Sequence, residues 1–324
     1  MIQSTMNKIK NRKLKLMSRN FQTKLIFCIC CLGLGNSLMA QQEPMYSQYM
    51  FNMIQINPAY AGNRGTNQLT GLYRNQWLGL EGAPTTMSLS WDIRSHYSNV
   101  GYGLQLYKDQ LGIETTTGFQ SYYSYKIQFE KSNLAFGLSV GVLNYRANLT
   151  DVETFTGGDP SFAENVNNML PTAGFGMLYA TENWYAGFSM PALLNSKIYT
   201  ENFKIELNKY NHYFLTAGYI FGISEAVKLK PSFLMKAVKG SPFQFDLNVN
   251  AWIQNNFGVG VSYRIGDALV SMFELQVTPE FGIGYAYDYT LTNIKTFSKG
   301  THELMLRYEF GNKRNQKVLS PRYY

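Results

Sequence analysis

Residues 243–252 of the chain read Phe-Gln-Phe-Asp-Leu-Asn-Val-Asn-Ala-Trp, and this stretch decides the fold. Its odd positions are all apolar, whereas the even positions from 244 to 250 carry amide or carboxylate groups. Successive side chains of a β-strand point to opposite faces, so the stretch predicts a strand with one apolar and one polar face. Asp246, Asn248 and Asn250 are costly to bury in an apolar core, but a wet lumen accommodates them. The alternation therefore favours a membrane barrel, whose strands face lipid on one side and a polar interior on the other.

The same period of two recurs along most of the chain. Phe257–Ile265, Phe281–Tyr289 and Leu304–Phe310 alternate in the same way. About fourteen strands are predicted, and an even number returns both ends of a bacterial barrel to the periplasm. Their predicted limits are 68–76, 84–93, 100–107, 115–128, 133–145, 170–179, 184–191, 212–221, 227–238, 243–252, 257–264, 269–277, 279–289 and 301–310. The predicted fold class is all-β: an antiparallel up-and-down transmembrane β-barrel with an N-terminal plug or docking segment.

The aromatic content distinguishes this barrel from a secreted β-sandwich or propeller, which also alternates apolar and polar residues. The chain has 24 Tyr, 21 Phe and 4 Trp. Most predicted strands carry an aromatic residue on the apolar side, often near an end, where the interfacial girdles of a barrel lie. The opposite side is too polar for the core of a sandwich, so the barrel is favoured.

The net charge of +8 does not indicate a nucleic-acid partner, because most of it lies at the N-terminus. Residues 1–40 contain seven basic and no acidic residues, which leaves 22 basic and 21 acidic residues in the rest of the chain. No excess positive field remains there to bind phosphates.

The N-terminus is predicted to be a signal peptide, residues 1–40, cleaved near Ala40. Its basic residues precede an apolar stretch from Leu25 to Leu34, about half of what a membrane-anchoring helix needs. All three cysteines lie in this segment, so the mature protein is expected to contain no disulfide and no thiol chemistry.

Residues 41–67 are predicted to form a plug or docking segment ahead of the barrel, which spans 68–310 and is followed by a periplasmic tail, 311–324. The segment does not alternate, and Pro44 and Pro58 interrupt it. Its aromatic and Met side chains are too many for a tail left in water. Candidate partner-binding residues in it are Tyr46, Tyr49 and Phe51.

The two longest predicted connections, 146–169 and 192–211, follow the fifth and seventh strands. With both barrel ends in the periplasm, connections after odd-numbered strands lie outside, where barrels carry their longer loops. These connections contain apolar residues that are suitable as anchors for a protein partner. The candidates are Phe155, Phe162, Leu193, Leu194 and Tyr199.

No residues with catalytic, cofactor-binding or metal-binding roles are predicted. The three His residues are isolated, and Gly-x-Gly pairs fall inside strands instead of at strand-to-helix turns. Acidic residues in 151–160 leave calcium binding open, but a solvated loop is preferred because they lack alternate spacing. Charged residues on even strand positions are predicted to face the lumen, namely Lys126, Lys228, Lys230, Lys236, Asp246, Arg264, Glu274 and Asp288.

Several stretches resemble one known family. They are Gln42-Glu43-Pro44-Met45-Tyr46-Ser47-Gln48-Tyr49-Met50-Phe51-Asn52, Ile56-Asn57-Pro58-Ala59-Tyr60-Ala61-Gly62, Tyr73-Arg74-Asn75-Gln76-Trp77, Gly82-Ala83-Pro84-Thr85-Thr86, Gly101-Tyr102-Gly103-Leu104 and Asn183-Trp184-Tyr185-Ala186-Gly187. They resemble the PorP/SprF family of outer-membrane proteins of the type IX secretion system of Bacteroidetes.

The resemblance implies a non-enzymatic barrel of the cell outer membrane that takes part in type IX secretion and, in some bacteria, in gliding motility. Implied partners are exported surface adhesins or the periplasmic machinery, besides the lipids of the outer membrane. The alternative function is an outer-membrane solute channel or porin, and an outer-membrane hydrolase is disfavoured because no clustered nucleophile, base and acid is found.

Overall fold

The computed structural model describes residues 45–311 except 65, 96–98, 153–161, 163, 195–196, 199–206, 209–210, 239–240 and 255. One compact unit consists of Gln41–Lys239 and Phe243–Tyr324 and contains every strand. Of the second unit, Met1–Ala40 with Gly240–Pro242, only residues 241 and 242 are described. The predicted signal peptide and most of the predicted tail, 312–324, therefore lie outside the described residues and stay predictions.

Seventeen strands are present in the described residues. They are β1 (Asn67–Asn75), β2 (Thr85–Arg94), β3 (Val100–Leu111), β4 (Glu114–Gln128), β5 (Ser132–Ala147), β6 (Val166–Thr181), β7 (Trp184–Met190), β8 (Lys197–Ile198), β9 (Leu207–Asn208), β10 (His212–Tyr219), β11 (Phe221–Gly222), β12 (Val227–Val238), β13 (Gln244–Ile253), β14 (Phe257–Arg264), β15 (Ala268–Gln276), β16 (Phe281–Thr290) and β17 (Thr301–Phe310). Strands β8 and β9 form a separate two-stranded sheet, and β11 continues the line of β10 along β12.

The other strands form a closed barrel of 14 antiparallel strands, which confirms the predicted fold class. Each barrel strand pairs with its neighbours in sequence, with β10 linking β7 to β12. The last strand returns to the first, from Asn67 opposite Phe310 to Asn75 opposite His302. Closure leaves no exposed edge within the lipid, where unpaired backbone groups are costly.

The faces of the wall follow the predicted alternation. On β13, Leu247 and Val249 point outward and are each 50% exposed, whereas Asp246, Asn248 and Asn250 are buried inside. An apolar exterior with a polar interior is the pattern of a barrel that faces lipid. Within the described residues, no helix is long and apolar enough to cross a membrane.

The two rims of the barrel differ in their connections. One rim, called the long-loop rim here, carries the connections 76–84, 148–165, 191–211 and 291–300, together with the short connections 112–113, 239–243 and 265–267. The opposite short-turn rim carries 95–99, 129–131, 182–183, 223–226, 254–256 and 277–280. The longest connections therefore follow odd-numbered strands of the barrel, as predicted. The predicted connection 146–169 is shorter in the structure, because β5 and β6 continue their pairing to Ala147 and Val166.

Candidate functional site

The lumen contains part of the chain itself, residues 45–64, called the luminal segment here. It includes three short 3₁₀-helices, Tyr49–Phe51, Met53–Gln55 and Pro58–Tyr60. Nearly all of its residues are buried. An isolated segment of this length has no core of its own, so contacts with the barrel wall must hold it.

The luminal segment runs from one rim toward the other. Ser47 and Gln48 bond to β16 and β17 near the ends of these strands at the long-loop rim. At its other end, the backbone N–H of Gly62 donates to Asp92, close to the end of β2 at the short-turn rim. The chain therefore crosses the lumen before it turns into β1 at Asn67.

A buried ionic cluster holds the first end of the segment. Glu303 accepts the backbone N–H groups of Ser47 at 2.8 Å and Gln48 at 2.7 Å. Arg74 pairs with Glu303 at 3.0 Å and Asp288 at 2.9 Å, and it also donates to the Ser47 hydroxyl. The hydroxyl of Ser47 in turn donates to Asp288 at 2.6 Å. These charges are almost completely buried, so each depends on its partners for compensation of its desolvation.

Polar side chains of the wall bind the middle of the segment. Asn52 donates to Ser90 and Gln55 donates to Ser88, both on β2. On the opposite wall, the amide of Asn248 donates to the Tyr49 hydroxyl at 2.6 Å. Residues on both walls thus satisfy polar groups that burial would otherwise leave unpaired.

Hydrogen bonds between side chains and backbone carbonyls join the second half of the segment to the wall. The amide of Asn57 donates to the carbonyl oxygens of Met177 at 3.0 Å and Phe188 at 3.3 Å. Ser189 donates to the carbonyl of Ile56, and Ser124 donates to that of Ala61. These bonds involve β4, β6 and β7, so the segment is held from several sides.

Glycines in the wall make room for the segment. A Cβ atom at Gly137 would overlap the backbone of Pro58 and Ala59, and one at Gly101 would overlap the carbonyl of Ala61. A Cβ atom at Gly176 would overlap the Asn57 side chain, and one at Gly284 would overlap the side chain of Gln48. A glycine inside a strand commonly marks such a close approach. The sequence placed these glycines within strands but did not show what approached them.

Aromatic and cationic side chains fill the space between the segment and the wall. Phe51 packs edge-on against Trp252 with 6.4 Å between ring centroids, and Tyr60 packs in the same way against Tyr185. The ammonium group of Lys230 lies 5.2 Å from the Tyr185 ring centroid and 5.9 Å from that of Trp252. Such contacts add attraction to the burial of the rings themselves.

The predicted partner-binding residues fall into three groups. Tyr46, Tyr49 and Phe51 are buried in the lumen. Leu193 and Leu194 are 37% and 44% exposed, and Phe162 is half-buried in the connection after β5. Phe155 and Tyr199 lie outside the described residues. Partner binding by these residues therefore stays a prediction.

A cavity lies between the luminal segment and the wall at the long-loop rim. Tyr46 and Tyr49 line it from the segment, and Pro191, Phe214 and Leu234 line it from the barrel. Leu193 and Leu194 come two and three residues after Pro191 in the chain, and both are exposed.

The predicted orientation of the charged side chains is largely confirmed. Lys230, Lys236, Asp246, Arg264, Glu274 and Asp288 are buried on the inner face, and Lys126 and Lys228 are half-buried. Arg264 pairs with Asp246 at 3.3 Å, and Arg307 pairs with Glu274. Opposite charges therefore link neighbouring strands β13 and β14, and also β15 and β17, which are separated by β16. Among the described residues, no group of three His, Cys, Asp or Glu side chains is suited to hold a metal ion.

The protein is an outer-membrane β-barrel, because its wall is closed, its exterior is apolar and its lumen is polar. The sequence profile described as "Type IX secretion system membrane protein PorP/SprF" matches residues 38–308. The chain belongs to this family, and it is an outer-membrane component of the type IX secretion system. This confirms the resemblance found in the sequence.

Comparisons with solved structures found distant similarities. A toluene transporter from Ralstonia pickettii, TbuX, has 10% identity and a TM-score of 0.49, covering 81% of this chain and 94% of its own. The CymD monoaromatic hydrocarbon channel has 10% identity and a TM-score of 0.47, covering 85% and 95%. A Pseudomonas aeruginosa FadL homologue has 13% identity and a TM-score of 0.46, covering 86% and 96%. A comparison with curated proteins found no match.

Replacing Gly137 by Ala is expected to loosen the luminal segment, since the new methyl group would overlap the segment backbone. Overpacking of this kind costs about 1–3 kcal/mol, which urea unfolding of the refolded barrel in detergent can measure. Gly71→Ala is the matched control, because a Cβ atom there meets nothing within 4 Å. Equal unfolding midpoints for the two variants would contradict the close approach at Gly137.

Proposed function

We propose that this barrel binds exported proteins and holds them for secretion or attachment at the cell surface. The observation that carries the proposal is the occupied lumen: the chain's own residues 45–64 cross it and bond to both ends of the wall. A barrel whose lumen is filled in this way is better suited to binding partners at its rims than to passing solutes.

The long-loop rim is the proposed binding face. The longer connections of bacterial barrels face the cell exterior, where an exported protein arrives. Leu193 and Leu194 are exposed there, shortly after Pro191, which lines the cavity together with Tyr46 and Tyr49. Apolar side chains that fill pockets on a partner supply most of the energy in protein interfaces. Surface adhesins are the proposed cargo, and the periplasmic machinery is the proposed partner at the short-turn rim.

The test is deletion of the gene followed by quantitative mass spectrometry of the surface proteome, the periplasm and the medium. We expect one or a few surface proteins to disappear from the exterior, to accumulate inside or to appear in the medium, while uptake of small solutes stays normal. In a gliding strain, spreading should fail if the missing protein is an adhesin. Loss of every exported protein would instead indicate a role in the common machinery.

The alternative function is a solute channel. Purified wild-type barrel should then show steady ion conductance in planar bilayers, and the deletion strain should take up a nutrient poorly. An unchanged surface proteome together with such an uptake defect would overturn the proposed function.

A further inference from the structure

Three neighbouring strands of the wall project beyond the rest of the barrel. Strands β4, β5 and β6 have 15, 16 and 16 residues, whereas β1 has 9. A tilted strand needs about 9–11 residues to cross the membrane, so these strands have several residues to spare. Because the turns at the short-turn rim are tight, the extra length lies at the long-loop rim. Ala147 and Val166 form a small buried cluster there with Tyr145, Leu149 and Leu170, so the projection is packed.

Among the described residues, the outer half of β6 pairs with a strand on one side only. Strand β5 pairs with β6 from Val166 to Thr181. On the other side, β7 pairs with β6 only from Phe175 to Ala180. Beyond that point, the described residues contribute one further backbone bond to this side, from the Leu193 N–H to the Ala173 carbonyl at 2.6 Å. Residues 166–172 therefore form an edge whose outward backbone groups have no partner among the described residues.

The orientation of the edge follows from the bond at Ala173. The N–H and C=O of one strand residue point to the same side, and the next residue points to the opposite side. Since the Ala173 carbonyl points away from β5, so do the backbone groups of Pro171, Met169 and Asn167. Pro171 agrees with this assignment, because a proline lacks the N–H and is tolerated in a strand when that position faces the free edge.

The edge lacks most features that protect such strands from pairing. Proteins commonly place charged side chains on exposed edges, yet Val166–Gly174 contains no charged residue. Met169 is 69% exposed on the projection. An uncharged edge whose outward groups find no partner in the described part of the chain is complementary in hydrogen bonding to an extended strand, and side chains near it select which strand binds.

We propose that the edge of β6 from Asn167 to Thr172 docks an extended, uncharged strand of the exported protein, which adds to the projecting sheet. This inference rests on the proposed function and names the form in which the cargo is recognised. An extended backbone is the occupant that satisfies a row of outward N–H and C=O groups, and the edge stands at the rim where the exported protein is proposed to arrive.

The test compares strains that carry Met169→Pro, Met169→Ala or the gene deletion. Proline removes the outward N–H of residue 169 while leaving the pairing with β5, whereas alanine keeps the N–H. We expect Met169→Pro to reduce by about tenfold the surface amount of the proteins that the deletion strain loses, and Met169→Ala to change it by less than about twofold. The heat-dependent shift of the barrel on gels reports whether each variant is folded.

Met169→Lys provides a second test should the proline variant misfold, because a charge on an edge opposes strand addition. Met169→Cys, in a mature chain predicted to have no other cysteine, should form a cross-link to a protein identified by the deletion, using a maleimide–benzophenone reagent and light on intact cells. Full display of those proteins in the proline or lysine variant, or cross-linking only to a second copy of this chain, would overturn docking at the edge while leaving the proposed function intact. A deletion strain with an unchanged surface proteome would overturn both.

Discussion

Deleting residues 45–62 is expected to open the lumen to ions while the barrel still inserts into the membrane. Strand pairing closes the wall without any contribution from these residues. The wall has 14 strands. Side chains fill the interior of a barrel of about 8 strands, whereas a barrel of about 16–18 strands leaves an aqueous channel, so the width of this lumen lies between the two. The polar lining left behind would hydrate. Single-channel recording in planar bilayers should show conductance at least about tenfold above that of the wild type.

The same deletion tests the functional role of the segment. Residues 41–44 remain, so that the predicted cleavage site keeps its context. Gln55→Ala is the matched control, because it removes one hydrogen bond to Ser88 and leaves the rest of the segment in place. We also expect the deletion to abolish retention of exported partners, since Tyr46 and Tyr49 line the cavity at the long-loop rim. A deleted barrel that conducts no better than wild type and keeps its partners would show that the segment is dispensable.

Glu303→Ala is expected to destabilise the folded protein by about 3–5 kcal/mol. The substitution removes the acceptor for two backbone N–H groups of the segment and leaves Arg74 with less compensation for its burial. Removing one member of a buried ionic cluster costs much more than breaking an exposed pair. Guanidinium unfolding in detergent micelles measures the loss.

Two variants separate the buried cluster from a general effect of charge removal. Glu280→Ala changes a carboxylate that is exposed in a turn at the short-turn rim, so it should cost less than about 0.5 kcal/mol. Replacing both Arg74 and Glu303 by Met should cost less than the two single substitutions together, because neither charge is left without its partner. Equal costs for Glu303→Ala and Glu280→Ala would contradict the role assigned to the cluster.

The strands were predictable because a strand that faces lipid on one side and a wet lumen on the other must alternate. Phe257–Arg264 and Thr301–Phe310 agree with their predicted limits at both ends. The prediction was less accurate for β6, which begins at Val166 instead of 170. Asn167 and Asn168 follow each other there, so the residues before 170 do not alternate between apolar and polar.

The sequence predicted which face of the wall carries the charged side chains but not which of them form ion pairs. Even-numbered charged positions such as Asp246, Arg264 and Asp288 follow from the period of two. Their partners depend on strand order and register, which bring Arg74 on the first strand next to Glu303 on the last.

By itself, the sequence determined the barrel, the orientation of its faces and the family, because each of these follows from local alternation or from recognisable stretches of residues. It left residues 41–67 either as a plug or as a docking segment, because short 3₁₀-helices between prolines have no periodic pattern. Only the tertiary structure decided that residues 45–64 cross the lumen, since the bond from Ser47 to Glu303 joins residues 256 positions apart. Only the tertiary structure showed that β7 pairs with β6 from Phe175 to Ala180 alone, because strand length does not reveal which residues of two neighbouring strands lie opposite each other.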